Sequence, residues 1–114
     1  MDKQKRKEMT AAYREQRAQG GVVAIVCAAT GRRLLMSGAD LRGMQNRFRF
    51  ASATGSCVSP RIQADWNRYG ADAFSLEVLE TLEQKEDQDA AAFRGDVRAL
   101  EELWREKYAP EELY

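Results

Sequence analysis

The feature that most constrains the fold is a pair of apolar segments joined by a tight turn. Six consecutive apolar residues run from Val22 to Cys27, and most of them are β-branched, which suits the pleated backbone of a strand. Thr30-Gly31 supplies the turn, and a second strand follows from Arg32 to Ser37. Because the first run is unbroken, we expect a central strand that is covered on both faces.

Helical spacing of apolar residues covers most of the remaining chain. Asp40 and Ser59 have side chains that accept hydrogen bonds from free backbone amides, so we expect each of them to start a helix. Gly70 suits a helix end, and Phe74 begins an alternating apolar pattern that is typical of a third strand. The predicted helices span residues 2–18, 41–52, 60–69 and 89–107.

These elements predict an α+β fold, in which a small three-stranded antiparallel sheet is flanked by helices and an N-terminal helix is added. At 114 residues, the chain is the length of one domain. We divide it into a basic N-terminal helix at residues 1–19, a domain at residues 20–109 and a C-terminal tail at residues 110–114. Pro110 is expected to close the ordered part.

Charge is distributed unevenly along the chain. Lysine plus arginine and aspartate plus glutamate both total 18, so the net charge indicates no partner. Residues 1–70 nevertheless carry 13 basic and 5 acidic side chains, and residues 71–114 carry 5 basic and 13 acidic ones. This asymmetry is typical of a nucleic-acid-binding face, but also of two halves that neutralise each other after folding.

The cysteine and histidine content limits the chemistry. The sequence has two cysteines and no membrane-length apolar run, and its charged N-terminus carries no secretory signal. These features indicate a cytoplasmic protein with no membrane partner. Cys27 is expected to be a core residue, and Cys57 lies in a loop. Because the chain contains no histidine, the common zinc sites and histidine-activated nucleophiles are excluded.

Three segments carry a family resemblance. The hairpin begins with Gly21-Val22-Val23, an amphipathic helix ends in Trp66-Asn67-Arg68-Tyr69-Gly70, and the last helix contains Glu101-Glu102-Leu103-Trp104. Over residues 20–108, this arrangement resembles the GIY-YIG endonuclease superfamily. The basic N-terminus and Gln45-Asn46-Arg47 are similar to a bacterial subgroup with degenerate versions of the domain. The resemblance implies the superfamily's α+β fold and a relation to enzymes that hydrolyse phosphodiesters.

The positions that match the family's catalytic side chains are degenerate. In the family, two tyrosines serve proton transfer and positioning, and an arginine neutralises the phosphate. A gap-free alignment places Val23 and Leu34 at the tyrosine positions and Met44 at the arginine position. None of these side chains can transfer a proton or carry a charge. Arg47, one helical turn after Met44, is the candidate substitute for the arginine.

Two further family positions keep their residue type. Glu101 matches a glutamate that binds one divalent metal ion, and Asn67 matches an asparagine that supports the site. The resemblance therefore implies Mg²⁺ or Mn²⁺ at Glu101 if the protein is active, although a single carboxylate is a poor metal site. Glu101 also fits an ordinary surface glutamate, and Asn67 fits a structural residue before a helix end.

The leading hypothesis is a catalytically degenerate GIY-YIG-like domain that binds the backbone of DNA or RNA. One alternative is a metal-dependent endonuclease that uses Glu101 and substitute residues. The other is a protein-interaction or homodimerisation module, because the apolar former cleft must either pack shut or bind something apolar. The candidate nucleic-acid contacts are Arg32, Arg33, Arg42, Arg47 and Arg49.

Overall fold

Three antiparallel strands form the sheet, in the order β2-β1-β3. The computed structural model describes residues 18–114, so the predicted N-terminal helix lies almost wholly outside the described residues. The strands are β1 (Gln19–Cys27), β2 (Arg33–Gly38) and β3 (Phe74–Glu83). β1 is central and buried on both faces, as its unbroken apolar run predicts.

The central strand begins earlier than the sequence predicts, because it includes both glycines of the pair Gly20-Gly21. A Cβ atom at Gly21 would lie 2.2 Å from the backbone oxygen of Glu80, and one at Gly20 would lie 2.4 Å from that of Gly38. The missing side chains therefore allow the neighbouring strands to approach closely.

Three α-helices connect and cover the strands. They are α1 (Leu41–Thr54), α2 (Gln63–Tyr69), which follows a 3₁₀ turn at Pro60–Ile62, and α3 (Ala90–Arg105). No helix within residues 18–114 combines the length and the apolar character needed to cross a membrane.

The helix ends confirm the caps expected from local chemistry. An Asp40 oxygen accepts a hydrogen bond from the backbone amide of Gly43 at 2.9 Å, and Ser59 Oγ accepts one from the amide of Arg61 at 3.2 Å. Gly70 ends α2 with φ of +85°, a backbone conformation that favours glycine.

The two faces of the sheet are covered by different helices. Met44 of α1 lies close to Gly38, where an added Cβ would be 3.1 Å from its Sδ atom. On the opposite face, a Cβ at Gly20 would lie 3.2 Å from the ring of Phe93 in α3. α2 joins α1 on the first face, in a buried cluster of Ile25, Cys27, Leu34, Ala51, Ile62, Trp66 and Phe74.

The third strand is less buried than its alternation predicts. Phe74 is buried, Leu76 is half-buried and Val78 is exposed. β3 lies at an edge of the sheet, and its pairing with β1 shifts register between Val22 and Val23. An edge strand with an irregularity has fewer neighbours to cover its side chains, which explains the exposure of Val78.

The chain remains ordered beyond Pro110, contrary to the sequence expectation. A 3₁₀ turn spans Pro110–Glu112, and Leu113 then forms a parallel bridge with Arg33 beside β2. The backbone amide of Tyr114 donates to the carbonyl oxygen of Arg33 at 2.9 Å. The last residues are therefore packed against the sheet rather than a loose tail.

Candidate functional site

The degenerate positions come together on the face of the sheet that α1 covers. Val23 pairs with Met36 across the hairpin, and Leu34 pairs with Ile25, so these side chains point to one side. Met44 of α1 packs against Val23. Val23, Leu34 and Met44 are 0%, 4% and 5% exposed. The positions where the resemblance implies polar side chains thus hold buried apolar ones.

A cavity of about 230 Å³ lies beside these side chains, between α1 and the sheet. Val23 and Met36 line it from the hairpin, and Met44 lines it from α1. The half-buried side chain of Met36 adds apolar bulk on the hairpin side of this space. The space that remains is apolar rather than a polar cleft.

Arg47 is the predicted site residue that reaches this cavity with a charge. It is exposed on α1 and lines the cavity together with Met44 and the exposed ring of Phe50. No carboxylate of the described residues forms an ion pair with it. Its guanidinium therefore lies one helical turn after Met44 with no ion-pair partner among residues 18–114.

Glu101 and Asn67 do not line the cavity. Glu101 lies on α3, on the opposite face of the sheet from Val23 and Met44, and its Oε2 accepts a hydrogen bond from Arg105 Nη2 at 2.9 Å. Asn67 is exposed on α2, where its Oδ1 accepts from Gln63 Nε2 at 2.9 Å. The structure brings neither residue to the degenerate positions.

The donor set around Glu101 does not fit a divalent metal ion. Hard cations such as Mg²⁺ and Mn²⁺ are held by oxygen ligands, often with more than one carboxylate or with substrate phosphates. Within residues 18–114, no group of three or more cysteine, aspartate or glutamate side chains is placed to share such an ion. The Glu101 carboxylate is instead paired with the guanidinium of Arg105.

The predicted arginine group divides into three parts. Arg32 and Arg33 stack on the rings of Tyr114 and Tyr108, at 4.4 and 5.3 Å from the ring centroids. Arg32 also donates to the backbone oxygen of Leu113 at 3.0 Å, so these two arginines hold the C-terminal segment. The other three, all exposed on α1, are Arg42, Arg47 and Arg49.

The helix geometry separates Arg47 from its two neighbours. Each residue turns the helix by about 100°, so Arg42 and Arg49 point within about 20° of each other. Arg47 points about 140° away from Arg42, toward the cavity. Of the five candidate arginines, Arg47 is the one that lines the cavity.

A partly buried polar cluster around Tyr114 is missed by the sequence analysis. The Tyr114 hydroxyl donates to Asp65 Oδ2 at 2.8 Å and lies 3.2 Å from Thr30 Oγ1. Burial raises the pKa of Tyr114, the Thr30 hydrogen bond opposes this, and the Asp65 carboxylate raises the pKa further. Burial also raises the pKa of the Cys27 thiol, but hydrogen bonds with Thr30 and Tyr114 leave that pKa lowered overall.

This cluster predicts a pH dependence of stability. The folded-state pKa of Tyr114 lies above its unfolded value near 10. The protonated Tyr114 hydroxyl therefore contributes its full stabilisation of the fold below about pH 10, and this contribution is lost as the pH rises further. Above that pH, we expect the free energy of unfolding of the wild type to fall as the pH rises. This decrease should be steeper than that of Tyr114→Phe by up to about 1.4 kcal/mol per pH unit. Urea denaturation across pH 9–11.5 measures the difference.

Tyr69→Phe is the matched control, because it removes a hydroxyl from an exposed ring. Its stability should follow the wild-type pH profile. Identical profiles for wild type and Tyr114→Phe would contradict the contribution of Tyr114 to the pH dependence.

Comparison with known proteins places this geometry on a recognised fold. No family model and no curated protein matches the chain. Among solved structures, it is similar to the catalytic domain of the homing endonuclease I-TevI, with a TM-score of 0.56 and 18% identity over 77% of this chain and 86% of that one. The chain has the fold of a homing-endonuclease catalytic domain.

A second solved structure that is similar to the chain is an alanine variant of the catalytic domain of the intron endonuclease I-TevI. Its TM-score is 0.46, with 18% identity over 72% of this chain and 84% of that one. Because I-TevI is a GIY-YIG homing endonuclease, the predicted GIY-YIG-like α+β fold is confirmed. This likeness concerns the fold alone, and the assignment of Val23, Leu34 and Met44 to the family's catalytic positions stays a prediction from the sequence.

Proposed function

We propose that this chain is a catalytically degenerate nuclease-like domain that binds the nucleic-acid backbone without cleaving it. The observation that carries the proposal is the burial of three apolar side chains, Val23, Leu34 and Met44, on one face of the sheet. Phosphodiester hydrolysis needs an activated nucleophile and groups that stabilise developing negative charge. Buried valine, leucine and methionine side chains supply neither, so the fold is retained without the chemistry that the resemblance implies.

The exposed arginines of α1 support a binding role. Arg42, Arg47 and Arg49 take part in no ion pair among the described residues. Arg42 and Arg49 lie two helical turns apart on one side of α1, about 10.5 Å along the helix axis. Such side chains neutralise phosphates and release the counterions condensed on a nucleic acid. The fold likeness to an endonuclease catalytic domain is in keeping with this partner.

Salt dependence tests the proposal directly. We expect a 20-bp DNA duplex to bind with a slope of log affinity against log salt of about −1.8, since each of the two phosphates neutralised by Arg42 and Arg49 contributes about 0.9. The double variant Arg42→Gln/Arg49→Gln should reduce this slope to about zero. Fluorescence anisotropy at salt concentrations from 20 to 200 mM measures both slopes.

The matched control removes the same charge from the opposite face of the sheet. Arg94 and Arg98 are exposed on α3, so Arg94→Gln/Arg98→Gln should retain the wild-type slope. Equal loss in both double variants would show an effect of net charge alone and would contradict the α1 surface. Absence of binding at 20 mM salt would contradict nucleic-acid binding altogether.

The two alternatives have separate outcomes. Cleavage of the duplex in Mg²⁺ that Glu101→Ala abolishes would replace the proposal with the metal-dependent endonuclease. The protein-interaction alternative requires an accessible apolar cleft, whereas Val23, Leu34 and Met44 are buried and Phe50, which is 67% exposed, lies at the rim. A dimer by size-exclusion mass that Phe50→Glu dissociates would support that alternative.

A further inference from the structure

The cavity beside α1 has an apolar interior. All three strands line it, through Val23 and Ile25 of β1, Met36 of β2 and Leu76 of β3, and Met44 lines it from the helix. Met36 and Leu76 are half-buried and form the accessible wall, and Val23 and Ile25 are buried behind them. The exposed residues Arg47 and Phe50 line its rim, which leaves the interior reachable from solvent.

The size of the cavity limits what it can hold. An engineered protein cavity of about 150 Å³ lined by aliphatic and aromatic side chains stays dry and binds benzene. The cavity here is larger, at about 230 Å³, and offers room for an aromatic ring with a short chain. It is smaller than the roughly 300–1,000 Å³ of sites for drug-sized molecules. A fragment-sized apolar group is therefore the matching occupant.

The charged residue at the rim indicates which polar group a ligand of this cavity would carry. Arg47 is the one charged side chain among the described residues that line the cavity. Its guanidinium forms no ion pair with a carboxylate of residues 18–114. A guanidinium at the mouth of an apolar space is complementary to a planar carboxylate on an apolar body, since arginine and carboxylate can form two parallel hydrogen bonds.

We propose that this cavity binds a small amphipathic carboxylate, with its apolar body against the half-buried side chains of Met36, Val58 and Leu76 and its carboxylate on Arg47. The site uses the space beside the degenerate positions, but it does not rest on nucleic-acid binding. Arg42 and Arg49 carry the test of the proposed function, and Arg47 carries the test of this site. Each proposal can therefore fail while the other stands.

A pair of ligands of equal shape tests the charge. We expect 3-phenylpropionate to bind with a dissociation constant of about 0.1–1 mM by isothermal titration calorimetry. Its neutral counterpart 3-phenylpropionamide should bind about 10-fold more weakly, because it lacks the charge-assisted hydrogen bonds. Arg47→Gln should weaken the carboxylate about 10-fold and leave the amide unchanged. Arg42→Gln, on the same helix, should bind both ligands as the wild type does.

Filling the cavity tests the location. Val58 lines the cavity from the loop after α1, so Val58→Phe should remove binding of both ligands while circular dichroism shows an unchanged fold. The half-buried thiol of Cys57 lines the same space and gives a second readout that needs no substitution. Because Cys27 is fully buried, alkylation by iodoacetamide in the folded protein reports on Cys57, and 3-phenylpropionate should slow it.

Three outcomes would overturn the site. The first is equal affinity of the wild type for the carboxylate and the amide, and the second is unchanged carboxylate binding in Arg47→Gln. The third is binding that survives in a folded Val58→Phe protein with no protection of Cys57. No binding of 3-phenylpropionate at 10 mM would also count against the proposal.

Discussion

Met44→Arg is expected to lower the free energy of unfolding by about 4 kcal/mol, although it restores the residue type that the family resemblance implies at this position. Met44 is 5% exposed and packs against Val23 and Leu41, close to Gly38. A guanidinium at its place would be buried among apolar groups without a carboxylate partner in the described cluster. The loss follows from the cost of an unpaired buried charge.

Two control substitutions separate charge from shape. Met44→Leu keeps an apolar side chain of similar volume and should cost less than about 1.5 kcal/mol. Asn46→Arg adds the same charge two residues away at an exposed position, and its effect should stay within about 0.5 kcal/mol. Urea denaturation of the three variants measures the differences. A Met44→Arg protein as stable as the wild type would show that the cluster opens to admit a polar side chain.

Gly21→Ala is expected to lower the free energy of unfolding by about 3 kcal/mol. The new Cβ atom would lie 2.2 Å from the backbone oxygen of Glu80 and 3.1 Å from the Cα of Thr81. Both contacts are with the backbone of β3, which cannot move aside as a flexible side chain could. The substitution must therefore separate β1 from β3 or distort their pairing.

The same substitution elsewhere in the chain should have the opposite sign. Gly95 is exposed in α3, and a Cβ there would have no atom within 4 Å. Gly95→Ala should stabilise the protein by about 0.5–1 kcal/mol, because alanine is the better helix former. Thermal or urea denaturation of the two variants compares them directly. Equal effects at Gly21 and Gly95 would refute the role of close strand approach.

Local chemistry explains which parts of the fold were predictable from the sequence. The caps at Asp40 and Ser59 depend on hydrogen bonds to residues two or three positions away, so the sequence order contains the information. The central position of β1 follows from its unbroken apolar run. The inclusion of Gly20 in β1 was not predictable, because it depends on the approach of strands that are distant in sequence.

The sequence predicted which apolar residues lie together at the site, but it did not predict where each arginine lies. The resemblance placed Val23, Leu34 and Met44 together, and the structure shows them on one face. It also grouped Arg32 with the α1 arginines, whereas the structure shows its guanidinium on the ring of Tyr114. No pattern in the sequence pairs residues so far apart, so this contact required the tertiary structure.

The strand order β2-β1-β3 has a consequence for how the protein folds. β1 pairs with β2, the next strand in the chain, through a short turn. It also pairs with β3, which is separated from the hairpin in sequence by α1 and α2. Hairpin formation takes about 1–10 μs, whereas non-local pairing must first meet the entropy of closing a long loop. We therefore expect β3 docking to come after the hairpin. Since Leu76 of β3 lines the cavity, the cavity is completed only by that late step.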